Sequence, residues 1–207
     1  MTSPKAKGYV ERILFVDCET TGLFFNDEDP SYNASTDEEY QSVSWGLVVA
    51  NSNTLDVVEE LYVEIKWNGT SLWSKKAQEV HGLTLAYLEQ HGMTEEEAVV
   101  EIASLILKYW GPDAPVCLGG HNVATFDKKF LQRLLRKYDI NVKFGARTVD
   151  SSAVGFATFG THNSDDLFDA VGLPARDPAS HNALTDANYA RLAVQRIRKM
   201  FNACIDG

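Results

Sequence analysis

The chain is poor in cysteine. Its three, Cys18, Cys117 and Cys204, lie too far apart for a disulfide framework or a zinc pattern, which suits a reducing compartment. No run of about 18 apolar residues occurs, which excludes a membrane-spanning helix. The first ten residues hold Pro4, Lys5 and Lys7 but no apolar stretch, so no secretory signal is expected and a cytoplasmic location is. Basic residues are also short, 19 Lys and Arg against 29 Asp and Glu, a formal charge of −10. Taken alone, that sign argues against a partner as negative as nucleic acid. Apolar residues, by contrast, make up 44% of the 207 positions, too many for a disordered chain and enough for one compact domain over 1–207.

The acids are unevenly placed. Residues 24–44 contain Asp27, Glu28, Asp29, Asp37, Glu38 and Glu39 without one Lys or Arg, the composition of a long solvated loop. Lys128, Lys129, Arg133, Arg136, Lys137, Lys143 and Arg147 form the opposite cluster.

Hydrophobic periodicity places strands at 13–16, 43–50 and 57–65, the last two paired antiparallel through Asn51-Ser52-Asn53, with short strands at 116–118 and 146–149. Helices are expected at 84–90, after the capping box Thr94/Glu97, along the stripe Phe126, Phe130, Leu134 and Tyr138, at 165–171 and at 182–201, with Ala187, Ala190, Val194, Ile197 and Phe201 on one side of the last. Antiparallel strands followed by helices alternating with short strands indicate an α/β domain, a mixed sheet flanked by helices.

Asp17 and Glu19 stand two apart where the first strand leaves the core, on one face, and must raise each other's pKa unless a positive charge intervenes. An isolated Asp-x-Glu is usually a solvent-facing turn. Asp127 opens the basic helix, where it could be a simple cap, and Asp186 follows His181 by five residues inside a helical stretch. Together these carboxylates are hard oxygen donors that select Mg²⁺ or Mn²⁺ over zinc. Two such ions about 4 Å apart stabilise the attacking and leaving oxygens of a phosphodiester displacement, and a nearby histidine can deprotonate the water.

The segments Asp17-Cys18-Glu19-Thr20-Thr21-Gly22-Leu23, His121-Asn122…Phe126-Asp127 and His181…Asp186-Ala187 resemble, in order, the three exonuclease motifs of the DnaQ-like (DEDDh) superfamily, which includes polymerase proofreading subunits and RNase T. Val80-His81-Gly82-Leu83-Thr84 and Thr148-Val149-Asp150-Ser151 resemble two further family segments. The resemblance implies an RNase H-like fold, a five-stranded mixed sheet flanked by helices, and 3′–5′ hydrolysis of single-stranded nucleic acid, DNA favoured, to 5′-mononucleotides. It implies Asp17, Glu19, Asp127 and Asp186 as ligands of two divalent ions, Mg²⁺ or Mn²⁺, and His181 as general base. It further implies that Thr20, Thr21, Gly22 and Leu23 meet the terminal nucleotide, with His81, Asn122 and Phe126 beside it. Asp150 is expected to be supporting, and His162 is set aside because no Asp follows it by five.

The acidic segment is longer than the connection usual after the first motif. No clamp-binding tail is recognisable after Arg196, so a polymerase or replication partner is not readable. RNA 3′-end trimming, and a catalytically silent nucleic-acid-binding module, remain the alternatives. Setting aside the insert's six acids and the four proposed ligands leaves 19 acidic against 19 basic residues.

Overall fold

The computed structural model describes residues 10–23, 40–176 and 181–206. The six acids of the insert therefore lie outside the described residues, while Ser42 to Ser44, assigned to the insert from composition, already belong to a strand. The strands are β1 (Arg12–Thr20), β2 (Ser42–Asn51), β3 (Val57–Glu64), β4 (Val116–Gly120) and β5 (Phe144–Asp150). The helices are α1 (Lys75–His81), α2 (Leu85–His91), α3 (Glu95–Trp110), α4 (Asp127–Lys137), α5 (Ser151–Phe159), α6 (Ser164–Ala170) and α7 (Ala183–Asp206).

The five strands form one mixed sheet in the order β3-β2-β1-β4-β5, as expected. β1 is central, antiparallel to β2 and parallel to β4. Its alternation divides the core. Leu14, Val16 and Cys18 pack with buried residues of α3 and α4, whereas Ile13 and Phe15 pack with Ala187, Ala190 and Val194 of α7. Leu167 and Phe168 of α6 pack on Ala193 of α7, outside that second layer. Phe201, placed by periodicity on the buried side of α7, is instead 65% exposed, because the helix runs past the sheet that would cover it.

Helix boundaries follow local chemistry. Thr94 and Glu97 make the expected capping box of α3, and Thr84 caps α2. α1 and α5 were not expected. α1 starts at Ser74, whose side chain accepts from the Ala77 N–H, and α5 starts at Asp150, which accepts from the Ser152 N–H. No described helix is long and apolar enough to cross a membrane.

Candidate functional site

The apolar run ends at Val16, but β1 continues to Thr20, so Asp17 and Glu19 project from within the strand rather than from its end. They face the α7 side, while Cys18 between them is buried on the other. Asp17 pairs with Gly46 and Glu19 with Ser44, and the register slips between Glu19 and Thr20, an irregularity of the kind that re-aims side chains beside sites. A Cβ on Gly46 would stand 2.2 Å from the backbone of Ala183 and Leu184. Only a strand without a side chain there lets the first turn of α7 press down opposite Asp17. Asn182 caps that turn, its Oδ1 accepting from the N–H groups of Leu184 and Thr185 at 3.1 Å each. Asp186 thus lies in the first turn of α7, where the helix dipole favours a carboxylate, and not in a helix interior.

Asp127 arrives from a different element. It is the first residue of α4, and its Oδ1 accepts the Cys18 N–H at 3.0 Å, which ties the helix to β1 between Asp17 and Glu19. The preceding loop turns through Asn122 at φ 57°, with the Asn122 N–H donating to Asp150 Oδ1 at 3.1 Å. Asp150 also caps α5, which gives it the supporting place expected of it.

His181 Nδ1 lies 3.3 Å from Asp186 Oδ2, and donor atoms of Glu19, His181 and Asp186 all fall within 4.8 Å of one another. The carboxylates act on each other strongly. Burial, followed by the charges of Asp127, Glu19 and Asp186, holds Asp17 well above the usual carboxylate range. Burial, then Asp186 and Asp127, push Glu19 up to about 8, and burial pushes Asp127 up to about 7. A buried set of this kind is easier to ionise with a cation bound to it.

One cation is already built in. Arg176, which the motifs did not single out, places Nη1 2.9 Å from Asp186 Oδ1 and lowers the pKa of both Asp17 and Glu19. No periodicity or motif marks it, because it comes from a connection after α6 whose position only the packing sets.

Thr20 Oγ1 donates to the Gly22 carbonyl at 2.7 Å, and Thr21 is fully buried, its N–H donating to the Gln41 carbonyl and its Oγ1 accepting the Gln41 N–H. Gly22 lies against the Tyr40 ring, leaving no room for a Cβ. Leu23 is 64% exposed at the end of this turn. His81 is only 3% exposed, edge-on to Trp73 and accepting the Leu83 N–H at Nδ1, so that Nε2 carries the proton and faces the Thr20 backbone without a well-formed hydrogen bond. Asn122 is exposed, and Phe126 is half-buried, its ring 5.1 Å from Phe130. His121 and His162 are occupied structurally, His121 between Ser151 Oγ and the His162 carbonyl and His162 against Ser152 Oγ and the Phe156 ring. The basic helix is partly spent inside the fold. Arg133 donates to the Tyr40 carbonyl and Lys137 pairs with Glu95.

No family model and no curated protein matches the chain. Solved structures do. A zinc-bound complex of E. coli ExoI with single-stranded DNA superposes with a TM-score of 0.72 at 17% identity, over 95% of this chain and 42% of that one. E. coli Exonuclease I in complex with a dA16 oligonucleotide gives 0.70 at 17% identity, over 92% of this chain and 41% of that one. The chain spans about two fifths of the length of the structures it matches. In fold, a five-stranded mixed sheet of the RNase H-like kind, it matches E. coli Exonuclease I over nearly all of its own length.

Proposed function

We propose that this chain is a metal-dependent 3′–5′ exonuclease that hydrolyses the terminal phosphodiester of single-stranded nucleic acid, DNA in preference to RNA, and releases 5′-mononucleotides. The observation that carries the reading is the convergence of Asp17 and Glu19 from β1, Asp127 from α4, and His181 and Asp186 from the start of α7.

The donor set fits the metal. It is built of carboxylate oxygens, it is buried enough to push the pKa of Glu19 up to about 8 and that of Asp127 up to about 7, and it contains no thiolate aimed at the cluster. Two divalent ions, Mg²⁺ or Mn²⁺, held by Asp17, Glu19, Asp127 and Asp186 would supply Lewis acidity at the scissile phosphate and charge at the departing 3′-oxygen. The protein's own residues do the rest. His181, with Nδ1 3.3 Å from Asp186 Oδ2, is placed to take the proton of the attacking water through Nε2. The Cys18 N–H keeps Asp127 turned toward β1. Leu23 offers an exposed apolar face to the terminal base, the buried turn Thr20-Thr21-Gly22 holds it there, and Asn122 and Phe126 flank the strand. His81 acts from beneath that turn. The preference for DNA is supported by the oligodeoxynucleotide in the matched complex.

The test is product analysis on labelled single-stranded and duplex DNA and RNA. The wild-type chain should release 5′-mononucleotides from the 3′ end of single-stranded DNA only with Mg²⁺ or Mn²⁺ present. Asp17→Ala and Asp186→Ala should keep the fold and lose more than roughly 100-fold in rate, since a ligand matters more than the outer residues whose loss costs 10–100-fold. Wild-type-like turnover by either variant overturns the assignment, and faster degradation of matched RNA overturns the preference for DNA.

A further inference from the structure

Arg176 is fixed from two directions. On one side α6 anchors it, with Nε and Nη2 donating to Asp165 Oδ1 at 2.9 and 2.6 Å, Nη2 to Ser164 Oγ at 2.9 Å, and the guanidinium 5.1 Å above the Phe168 ring. On the other, Nη1 enters the carboxylate cluster and meets Asp186 Oδ1 at 2.9 Å. The side chain is 12% exposed. The α6 contacts do not involve any proposed metal ligand, so they hold the guanidinium in place whatever occupies the cluster.

We propose that Arg176 is a catalytic residue that binds the substrate phosphate, and that its pairing with Asp186 is what it does while no divalent ion is present. The inference rests on the metal-site reading above. An ion held by Asp186 would compete with Nη1 for that carboxylate. The guanidinium, on a side chain 12% exposed, would then lose one of its two carboxylate partners, and a poorly solvated charge left short of a counter-charge is expensive. The acceptor that comes to such a site is a nonbridging phosphate oxygen of the substrate, and a guanidinium already fixed in orientation matches phosphate better than a point charge. One residue would thus offset carboxylate repulsion before an ion binds and substrate charge afterwards.

The two roles predict opposite changes on removing the arginine, which a merely structural residue would not show. Calorimetric titration with Mn²⁺, followed by thymidine 5′-monophosphate in saturating Mn²⁺, reads them separately and needs no turnover. Arg176→Gln should bind Mn²⁺ severalfold more tightly, having lost the competing cation, and the mononucleotide roughly tenfold or more weakly. Arg176→Lys should keep Mn²⁺ affinity near wild type, because the charge remains, yet bind the mononucleotide weakly, because the fork is gone. Should Arg176→Gln leave both affinities unchanged, or lower both together, the proposal is wrong while the metal-site reading stands. A wild-type chain that takes up no Mn²⁺ would overturn that reading and this inference with it.

Discussion

His81 is a histidine kept from a second proton. Burial lowers its pKa to about 4, and its Nδ1 is committed as acceptor of the Leu83 N–H, so the folded chain holds the neutral Nε2–H tautomer. In the unfolded chain the imidazole titrates near 6.5. Between those values the unfolded state binds a proton that the folded state refuses, so stability falls as pH drops from about 6.5 to about 4 and levels off below. The step should amount to about 2–3 kcal/mol. Urea unfolding of wild type and His81→Gln at pH 7 and 4.5 isolates it, since Gln does not titrate and all other groups are shared. The wild type should be the more stable protein at pH 7 and lose most of that margin at pH 4.5. A margin that stays constant would mean that the ring is protonated, or reached by water, in the fold. Because His81 lies beneath Thr20, acid weakening there should loosen the turn that carries Leu23 before it disturbs the sheet.

The approach of α7 to β2 depends on one missing side chain. Gly46→Ala places a Cβ 2.2 Å from the Ala183 carbonyl carbon, backbone against backbone, so the first turn of α7 must lift. Overpacking of this kind costs about 1–3 kcal/mol. A shift of about 1 Å in Asp186 and His181 should reduce turnover roughly 100-fold. Denaturation together with nucleotide release checks both halves, and undiminished turnover would mean that α7 has slack at this contact. The sequence makes Gly46 look like any strand glycine, because its function lies in a neighbour about 140 residues away. The same limit explains what else stayed hidden. The i, i+2 spacing of Asp17 and Glu19 and the capping box of α3 are local, so they can be read directly. The extension of β1 past Val16 is harder to read, because a strand face turned toward a charged site breaks the apolar run that marks strands. α5 has Ser, Thr and Gly among its residues and scarcely any apolar stripe, and it exists through Asp150 and Gly160 at its ends. Arg176 belongs to no element, and only the docking of α6 on α7 brings it to Asp186.

Across the whole molecule, charge and architecture meet at the neck of the acidic insert. Thr21 and Gln41 exchange two hydrogen bonds, the Thr21 N–H to the Gln41 carbonyl at 2.8 Å and the Gln41 N–H to Thr21 Oγ1 at 2.9 Å. Gln41 is in turn held by the Lys66 carbonyl and the Asn68 N–H, and Arg133 of the basic helix donates to the Tyr40 carbonyl. Both ends of the segment 24–39 are therefore fastened beside Glu19 by contacts that do not involve its six acids. Those acids account for more than half of the net −10. A short Gly/Ser linker in place of 24–39 leaves this neck in the chain, and closing a shorter loop costs little. The replacement should tighten the binding of single-stranded DNA, measured with Ca²⁺ to suppress turnover, because six like charges tethered through this neck are removed. The gain should be several-fold at about 50 mM salt and shrink steadily as salt rises, because screening weakens the insert's repulsion in the full chain. Equal affinities at low salt would show that the acids lie away from the strand's path. A gain unchanged by salt would show that the segment obstructs by bulk rather than by charge.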